Sequence, residues 1–163
     1  MENILIVCAD KDLRKDISKK LSTFISTIYL DIDEMVDFEI LNHQNISLKD
    51  AGDALRNIQQ NCINRAKEYR NCIMTISNDM FVANDNFKLF KDDIKIFVAL
   101  SKAYFVARMQ NEDGHKLEQQ LSLFNQINLL VKNNCNYIVD KTTKSIDEIC
   151  EEIVLTLEQK KSH

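Results

Sequence analysis

The chain has 163 residues, a net charge of −4 at pH 7 and a pI of about 5.4, so it is acidic and long enough to fold around one core. Without clustered lysine and arginine it is not expected to bind nucleic acid or an anionic membrane. Its apolar runs are far shorter than the roughly 20 residues that cross a bilayer, and no signal-peptide pattern precedes the first strand. We therefore expect one cytoplasmic domain over residues 1–163.

Strands and helices alternate along the whole chain. Strands are predicted over residues 4–8, 27–30, 71–76, 94–100 and 136–139, and the first is a continuous apolar run typical of a strand buried on both faces. This alternation predicts an α/β fold in three layers, with helices on both sides of a doubly wound, mainly parallel five-stranded sheet. Ligands of such folds bind beyond the carboxyl ends of the strands.

Helices are predicted where apolar residues recur at helical spacing. They cover residues 11–24, a short segment through Val36 and Ile40, residues 48–69, a short segment through Phe87 and Phe90, a segment that ends near Arg108, residues 117–132, and a last helix after residue 145. Capping side chains are expected at Asp10, at Ser47 with Asp50, and at Ser145 with Glu148. The polar stretch 110–116 is either a lid or a connector.

The five cysteines are interpreted as buried, reduced thiols. Their number is odd, no two form a C-x-x-C pair, and their sequence neighbours are apolar. A metal site or a catalytic thiol is less favoured, because no histidine stands at metal-ligand spacing from a cysteine. We therefore expect no bound metal. The cysteines are Cys8, Cys62, Cys72, Cys135 and Cys150.

The turn after the first strand carries carboxylates and no glycine. Residues 8–15 read Cys-Ala-Asp-Lys-Asp-Leu-Arg-Lys, and the chain has only two glycines. A loop that wraps phosphate at a helix N-terminus needs small residues, because side chains obstruct the approach of the backbone N–H groups. Asp10 and Asp12 also place negative charge there, and each is itself favoured at the helix N-terminus by about 0.3–1 kcal/mol. The sequence therefore predicts a turn capped by its own side chains.

Residues 4–14, ILIVCADKDLR, resemble the start of a response-regulator receiver domain. Such a domain needs a phosphoacceptor aspartate at the end of its third strand. Here that strand ends in Thr75-Ile76-Ser77-Asn78. A receiver-like signalling domain is therefore the weakest alternative.

Five segments in the right order give a better match, which covers nearly the whole chain. The chain resembles the shikimate kinase family of small P-loop kinases. Residues 27–36, TIYLDIDEMV, are similar to the family's acidic D-x-D-E element, and residues 52–56, GDALR, to its G-E-x-x-F-R element. Residues 72–78 take the place of the strand that leads into its triple glycine, and residues 94–108 precede its lid. YIVD at 137–140 and SIDEI at 145–149 are similar to its closing V-V-D and S-x-E-E-V.

The resemblance implies a G-x-x-x-x-G-K-[ST] loop over residues 8–15, but both glycines are missing. Arg14 stands at the place of the lysine and Lys15 at the place of the hydroxyl that binds magnesium. The triple glycine is replaced by Ile76-Ser77-Asn78. For a remnant lid over residues 109–117, Arg108 is the one arginine nearby, and the arginine expected before the last strand has no counterpart in residues 125–128.

Two residues of the family's substrate pocket remain, Asp33 and Arg56. In the family these positions bind the hydroxyls and the carboxylate of the substrate. Their plainer interpretation is an acidic helix start and a surface arginine, or an ion pair between the two.

Our leading hypothesis is a catalytically degenerate, shikimate-kinase-like protein, a pseudokinase that binds a small molecule or a protein partner and needs no cofactor. The alternative is an active small-molecule kinase with an unconventional phosphate site. Arg14, Lys15 and Arg108 would then hold phosphate, while Asp31 and Asp33 would handle magnesium and the acceptor hydroxyl. ATP and magnesium are expected only under this alternative.

Overall fold

A five-stranded sheet forms the middle layer of the protein in a computed structural model, which describes residues 2–42 and 51–162. Its strands lie in the order β2-β3-β1-β4-β5, and every neighbouring pair is parallel. This confirms the predicted α/β architecture. The strands are β1 (Ile4–Cys8), β2 (Ile28–Asp31), β3 (Cys72–Thr75), β4 (Ile94–Ala99) and β5 (Tyr137–Asp140).

Helices connect the strands. They are α1 (Lys11–Phe24), α2 (Ile32–Asn42), α3 (Ala51–Glu68), α4 (Asn78–Val82), α5 (Lys102–Arg108), α6 (Gly114–Asn134) and α7 (Ile146–Lys161), and a 3-10 segment, Ala83–Phe90, follows α4. The predicted caps of α1 and α7 are confirmed: Asp10 accepts from the Leu13 N–H, and Ser145 with Glu148 forms a capping box. The helix start expected at Ser47 and Asp50 lies outside the described residues.

Two apolar layers cover the two faces of the sheet. All of β1 is buried: Ile4, Ile6 and Cys8 belong to one layer, and Leu5 and Val7 belong to the other. Burial on both faces explains the continuous apolar run in this segment. The first layer packs against α1 and α7, and the second against α2, α3 and α4.

The strand order decides against a receiver-like domain. A receiver has the order 2-1-3-4-5, with its first strand next to its second. Here β3 lies between β2 and β1, with register pairs that include Ile4 with Ile73 and Ile28 with Cys72. β1 is therefore flanked by β3 and β4, whereas the first strand of a receiver is flanked by the second and third.

The polar stretch after α5 is shorter than the sequence indicates. Asp113 caps α6 by accepting from the Lys116 N–H, so α6 begins at Gly114, three residues before the predicted start at Leu117. The lid-like stretch 109–117 is therefore a short connection followed by the first turn of a helix.

None of the helices in the described ranges is long and apolar enough to cross a membrane.

All five cysteines are free thiols, as expected. Cys8, Cys62, Cys72 and Cys150 are buried, and Cys135 is partly exposed. Burial raises the pKa of the Cys8 thiol and of the Cys135 thiol to about 12. Thiols held in this neutral form are poor nucleophiles.

Candidate functional site

A cleft of about 620 Å³ opens at the carboxyl ends of β1 and β3. Four acidic and four basic side chains line it, so its lining is close to electrically neutral. The turn after β1, the start of α4, the end of α5 and one face of α6 form its walls. The lining residues are Ala9, Asp10, Lys11, Asp12, Arg14, Ser77, Asn78, Asp79, Arg108, Met109, Glu112, Lys116, Gln119, Gln120 and Leu123.

Asp10 closes the N-terminus of α1. Its Oδ1 accepts from the Leu13 N–H at 3.0 Å, and its Oδ2 accepts from Arg108 Nε at 2.8 Å. The residue is only 2% exposed. A carboxylate is the favoured group at a helix N-terminus, where an anionic ligand would otherwise meet the free N–H groups. In this protein the Asp10 carboxylate occupies the place at the N-terminus of α1 that a bound anion would take.

Arg14 lies beneath the turn. It is 1% exposed, and its Nη1 donates to the carbonyl oxygen of Cys8 at 3.0 Å and to Asn78 Oδ1 at 3.4 Å. Its buried Nε has no hydrogen-bond partner among the described residues, and none of their carboxylates lies within ion-pair distance of the guanidinium. The side chain therefore holds the end of β1 to the start of α4.

Asn78 completes this contact from the other strand. Its Nδ2 donates to the Ala9 carbonyl oxygen at 2.8 Å, while its Oδ1 accepts from Arg14. One buried amide thus joins the turn after β1 to the N-terminus of α4. In the sequence, residue 78 follows a predicted buried strand. That position indicates a site at the edge of the sheet, but it does not indicate this particular contact.

Lys15 turns away from the cleft toward β2. Its Nζ lies 2.7 Å from Asp31 Oδ2 and 3.6 Å from Glu34 Oε1, and the Asp31 side chain is only 2% exposed. Asp31 Oδ2 also accepts from the Tyr29 hydroxyl at 3.3 Å. Its Oδ1 accepts from the N–H groups of Asp33 and Glu34 at the start of α2. Both oxygens of Asp31 are therefore engaged.

Asp33 is a half-buried carboxyl next to the cleft. Its Oδ2 is buried and has no hydrogen-bond partner among the described residues. Burial raises the pKa of Asp33 above its ordinary value, a hydrogen bond with Ser77 and the charge of Arg14 oppose that rise, and the charges of Asp31 and Asp79 add to it. The surroundings therefore favour the protonated form of the Asp33 carboxyl.

Arg56 lies apart from these residues. It is exposed on α3 and does not line the cleft. Among the ion pairs of the described residues, none joins Arg56 to Asp33. The structure therefore brings Arg14, Asp33 and Arg108 to one region of the fold and leaves Arg56 outside it.

Nucleotide phosphates and magnesium do not fit the side chains present at this turn. The carboxylate of Asp10 fills the helix N-terminus, Arg14 points beneath the loop, and an ammonium group rather than a hydroxyl follows it at residue 15. Within residues 2–42 and 51–162, no three His, Cys, Asp or Glu side chains are arranged to hold a metal ion.

Solved structures of small P-loop kinases match almost the whole chain. A shikimate kinase from Acinetobacter baumannii in complex with shikimate has a TM-score of 0.79 at 12% identity, over 99% of this chain and 95% of that chain. The shikimate kinase from Aquifex aeolicus has a TM-score of 0.73 at 16% identity, over 96% of both chains. This chain has the shikimate kinase fold. A gluconokinase from Sinorhizobium meliloti shares it, with a TM-score of 0.66 at 15% identity over 97% and 92%.

No protein-family model matches the chain, and no curated protein matches it either. At such low identity the likeness of the structures establishes the shikimate kinase fold and leaves the chemistry open.

Proposed function

We propose that this protein uses the shikimate kinase fold to bind a ligand or a partner and does not transfer phosphoryl groups. The observation that carries the proposal is the position of the Asp10 carboxylate, capped onto α1 and paired with Arg108. Phosphoryl transfer depends on positioned cations and magnesium around the phosphates. Of the cations near this turn, Arg14 is bonded to the Cys8 carbonyl oxygen, while Lys15 and Arg108 are paired with Asp31 and Asp10.

The charge of the cleft supports a ligand other than a nucleotide. A lining with equal numbers of acidic and basic side chains does not attract a highly charged polyphosphate, whereas it suits a small polar molecule that carries charges of both signs. The free thiols agree with a reducing compartment, and we infer that the protein acts in the cytoplasm.

The proposal is tested by assaying ADP formation from ATP and magnesium, with and without shikimate, beside a known shikimate kinase as the positive control. We expect no ADP above the blank. Shikimate-dependent turnover that is lost in Asp33→Asn would contradict the proposal.

An active kinase is the second candidate, and the raised pKa of Asp33 favours it. A carboxyl whose pKa lies above its ordinary value is better suited to accept a proton from a substrate hydroxyl. The same assay over a panel of sugar and polyol acceptors decides between the two. Turnover of any acceptor, with a pH profile that changes in Asp33→Asn, would establish the kinase.

A further inference from the structure

Lys15 occupies a position with a defined role in P-loop enzymes. The last residue of their phosphate loop is a serine or threonine whose hydroxyl binds Mg²⁺, and an aspartate from another part of the fold helps to hold the ion. Here the last residue is Lys15, and the acidic side chain at the end of β2 is Asp31. Their Nζ and Oδ2 atoms are 2.7 Å apart.

The surroundings of the Lys15–Asp31 pair hold the two side chains in place. The hydrogen bond with Asp31 raises the pKa of the Lys15 ammonium, and Glu34 lies 3.6 Å from Nζ on the other side. The buried Asp31 carboxylate is held by the Tyr29 hydroxyl and by two backbone N–H groups at the start of α2. A positive charge is therefore fixed between two carboxylates.

A divalent ion at this position would meet two obstacles. It would lie next to a fixed ammonium and be repelled by it, and the oxygen of Asp31 that faces residue 15 already accepts from Nζ. Both obstacles come from one side chain. The oxygen ligands that Mg²⁺ and Mn²⁺ prefer are otherwise present in Asp31 and Glu34.

We propose that Lys15 is a built-in cation that takes the place of a bound divalent metal at Asp31, and that exchanging it for serine opens a divalent-cation site there. The inference does not rest on the proposed function, because metal binding is measured without nucleotide or acceptor.

The test is a titration of the full-length protein with Mn²⁺, followed by electron paramagnetic resonance of the free ion. We expect Lys15→Ser to bind one Mn²⁺ at least about tenfold more tightly than the wild type. Adding Asp31→Asn to that variant should remove the gain. Lys20→Ser is the matched control, since it breaks another lysine–aspartate pair of α1, with Asp147, and should gain nothing.

Equal Mn²⁺ affinity of Lys15→Ser and the wild type would overturn the proposal, as would an equal gain in Lys20→Ser. If Lys15→Ser does not fold, Lys15→Met keeps the length of the side chain without its charge and should still gain Mn²⁺ affinity through Asp31 and Glu34. The wild type offers an independent check by NMR. Paramagnetic broadening of the Asp33 and Glu34 amides by Mn²⁺ in the wild-type protein would contradict a site already filled by Lys15.

Discussion

Arg14 is a cation placed where proteins usually place apolar side chains. It is 1% exposed, and it satisfies its Nη1 with the Cys8 carbonyl oxygen and with Asn78. A buried charge is tolerated when its hydrogen bonds are made, and it costs free energy when they are not. Its role is therefore tested through stability and not only through activity.

We predict that Arg14→Ala lowers the free energy of unfolding by about 3 kcal/mol, because it removes two buried hydrogen bonds and leaves a void beneath the turn. Urea unfolding followed by circular dichroism measures the change. Lys11→Ala, an exposed residue in the first turn of the same helix, is the control and should change stability by less than about 0.5 kcal/mol. Equal effects of the two substitutions would show that Arg14 does not hold the turn.

Asp33 gives the protein a pH dependence whose sign follows from its burial. Its folded-state pKa lies above the ordinary value of 3.8, so the native state binds the proton more readily than the unfolded chain. The free-energy cost of burying the charged Asp33 carboxylate is therefore absent at pH values below 3.8. It is fully present at pH values above the raised pKa of the folded state. Stability falls as the pH rises through this window.

We predict that Asp33→Asn raises the free energy of unfolding by about 1 kcal/mol at pH 7, and that the gain shrinks as the pH falls toward 4. Urea unfolding at a series of pH values measures it. Asp37→Asn, an exposed carboxylate of the same helix, is the control and should show no such trend. If the stability gained by Asp33→Asn instead grew as the pH fell, folding would not raise the pKa of Asp33.

At the scale of elements, the N-terminus of α1 is stabilised by a cap and by an ion pair that share one carboxylate. Asp10→Ala removes both, whereas Asp10→Asn keeps an oxygen that accepts from the Leu13 N–H. We predict that Asp10→Ala lowers the free energy of unfolding by about 1–2 kcal/mol and Asp10→Asn by less than half as much.

Urea unfolding of the two Asp10 variants, each with and without Arg108→Ala, separates the cap from the ion pair. The difference between Asp10→Ala and Asp10→Asn should survive in the Arg108→Ala background. If that difference disappears, Asp10 acts only through Arg108.

The positions of most elements were predictable because they depend on local patterns. Apolar runs and helical spacing placed all five strands to within one or two residues of their observed bounds, and side-chain caps marked the starts of α1 and α7. The burial of individual side chains along and after α3 was less predictable. Leu55 and Tyr69 continue its apolar stripe in sequence but are 39% and 50% exposed. Which turns of a helix reach the core depends on the neighbouring elements.

The contacts of the candidate site were not predictable from local patterns. The sequence indicated that Asp10 would cap α1, and it marked Arg14, Lys15 and Arg108 as cations near the turn. It gave no sign that Arg14 bonds with Asn78, that Lys15 pairs with Asp31, or that Arg108 pairs with Asp10. These are contacts between residues far apart in sequence, and they depend on the side-by-side order of the strands.

At the scale of the whole molecule, the strand order brings the ends of β1, β3 and β4 together at one edge of the sheet. The shikimate kinase fold therefore keeps a cleft at this edge whatever the turn after β1 contains. In this chain the turn contains a carboxylate at the helix N-terminus, and two of its cations, Arg14 and Lys15, are already engaged. The shikimate kinase fold is thus kept, while the side chains at the turn after β1 engage one another.

An NMR titration of the ¹⁵N-labelled protein with ATP and Mg²⁺ shows whether the turn after β1 binds a nucleotide. The amides of residues 9–15 report on any phosphate bound at the N-terminus of α1. We expect their resonances to stay unshifted up to millimolar ATP, because Asp10 already accepts from the Leu13 N–H. Saturable shifts of these amides that require Mg²⁺ would contradict the account.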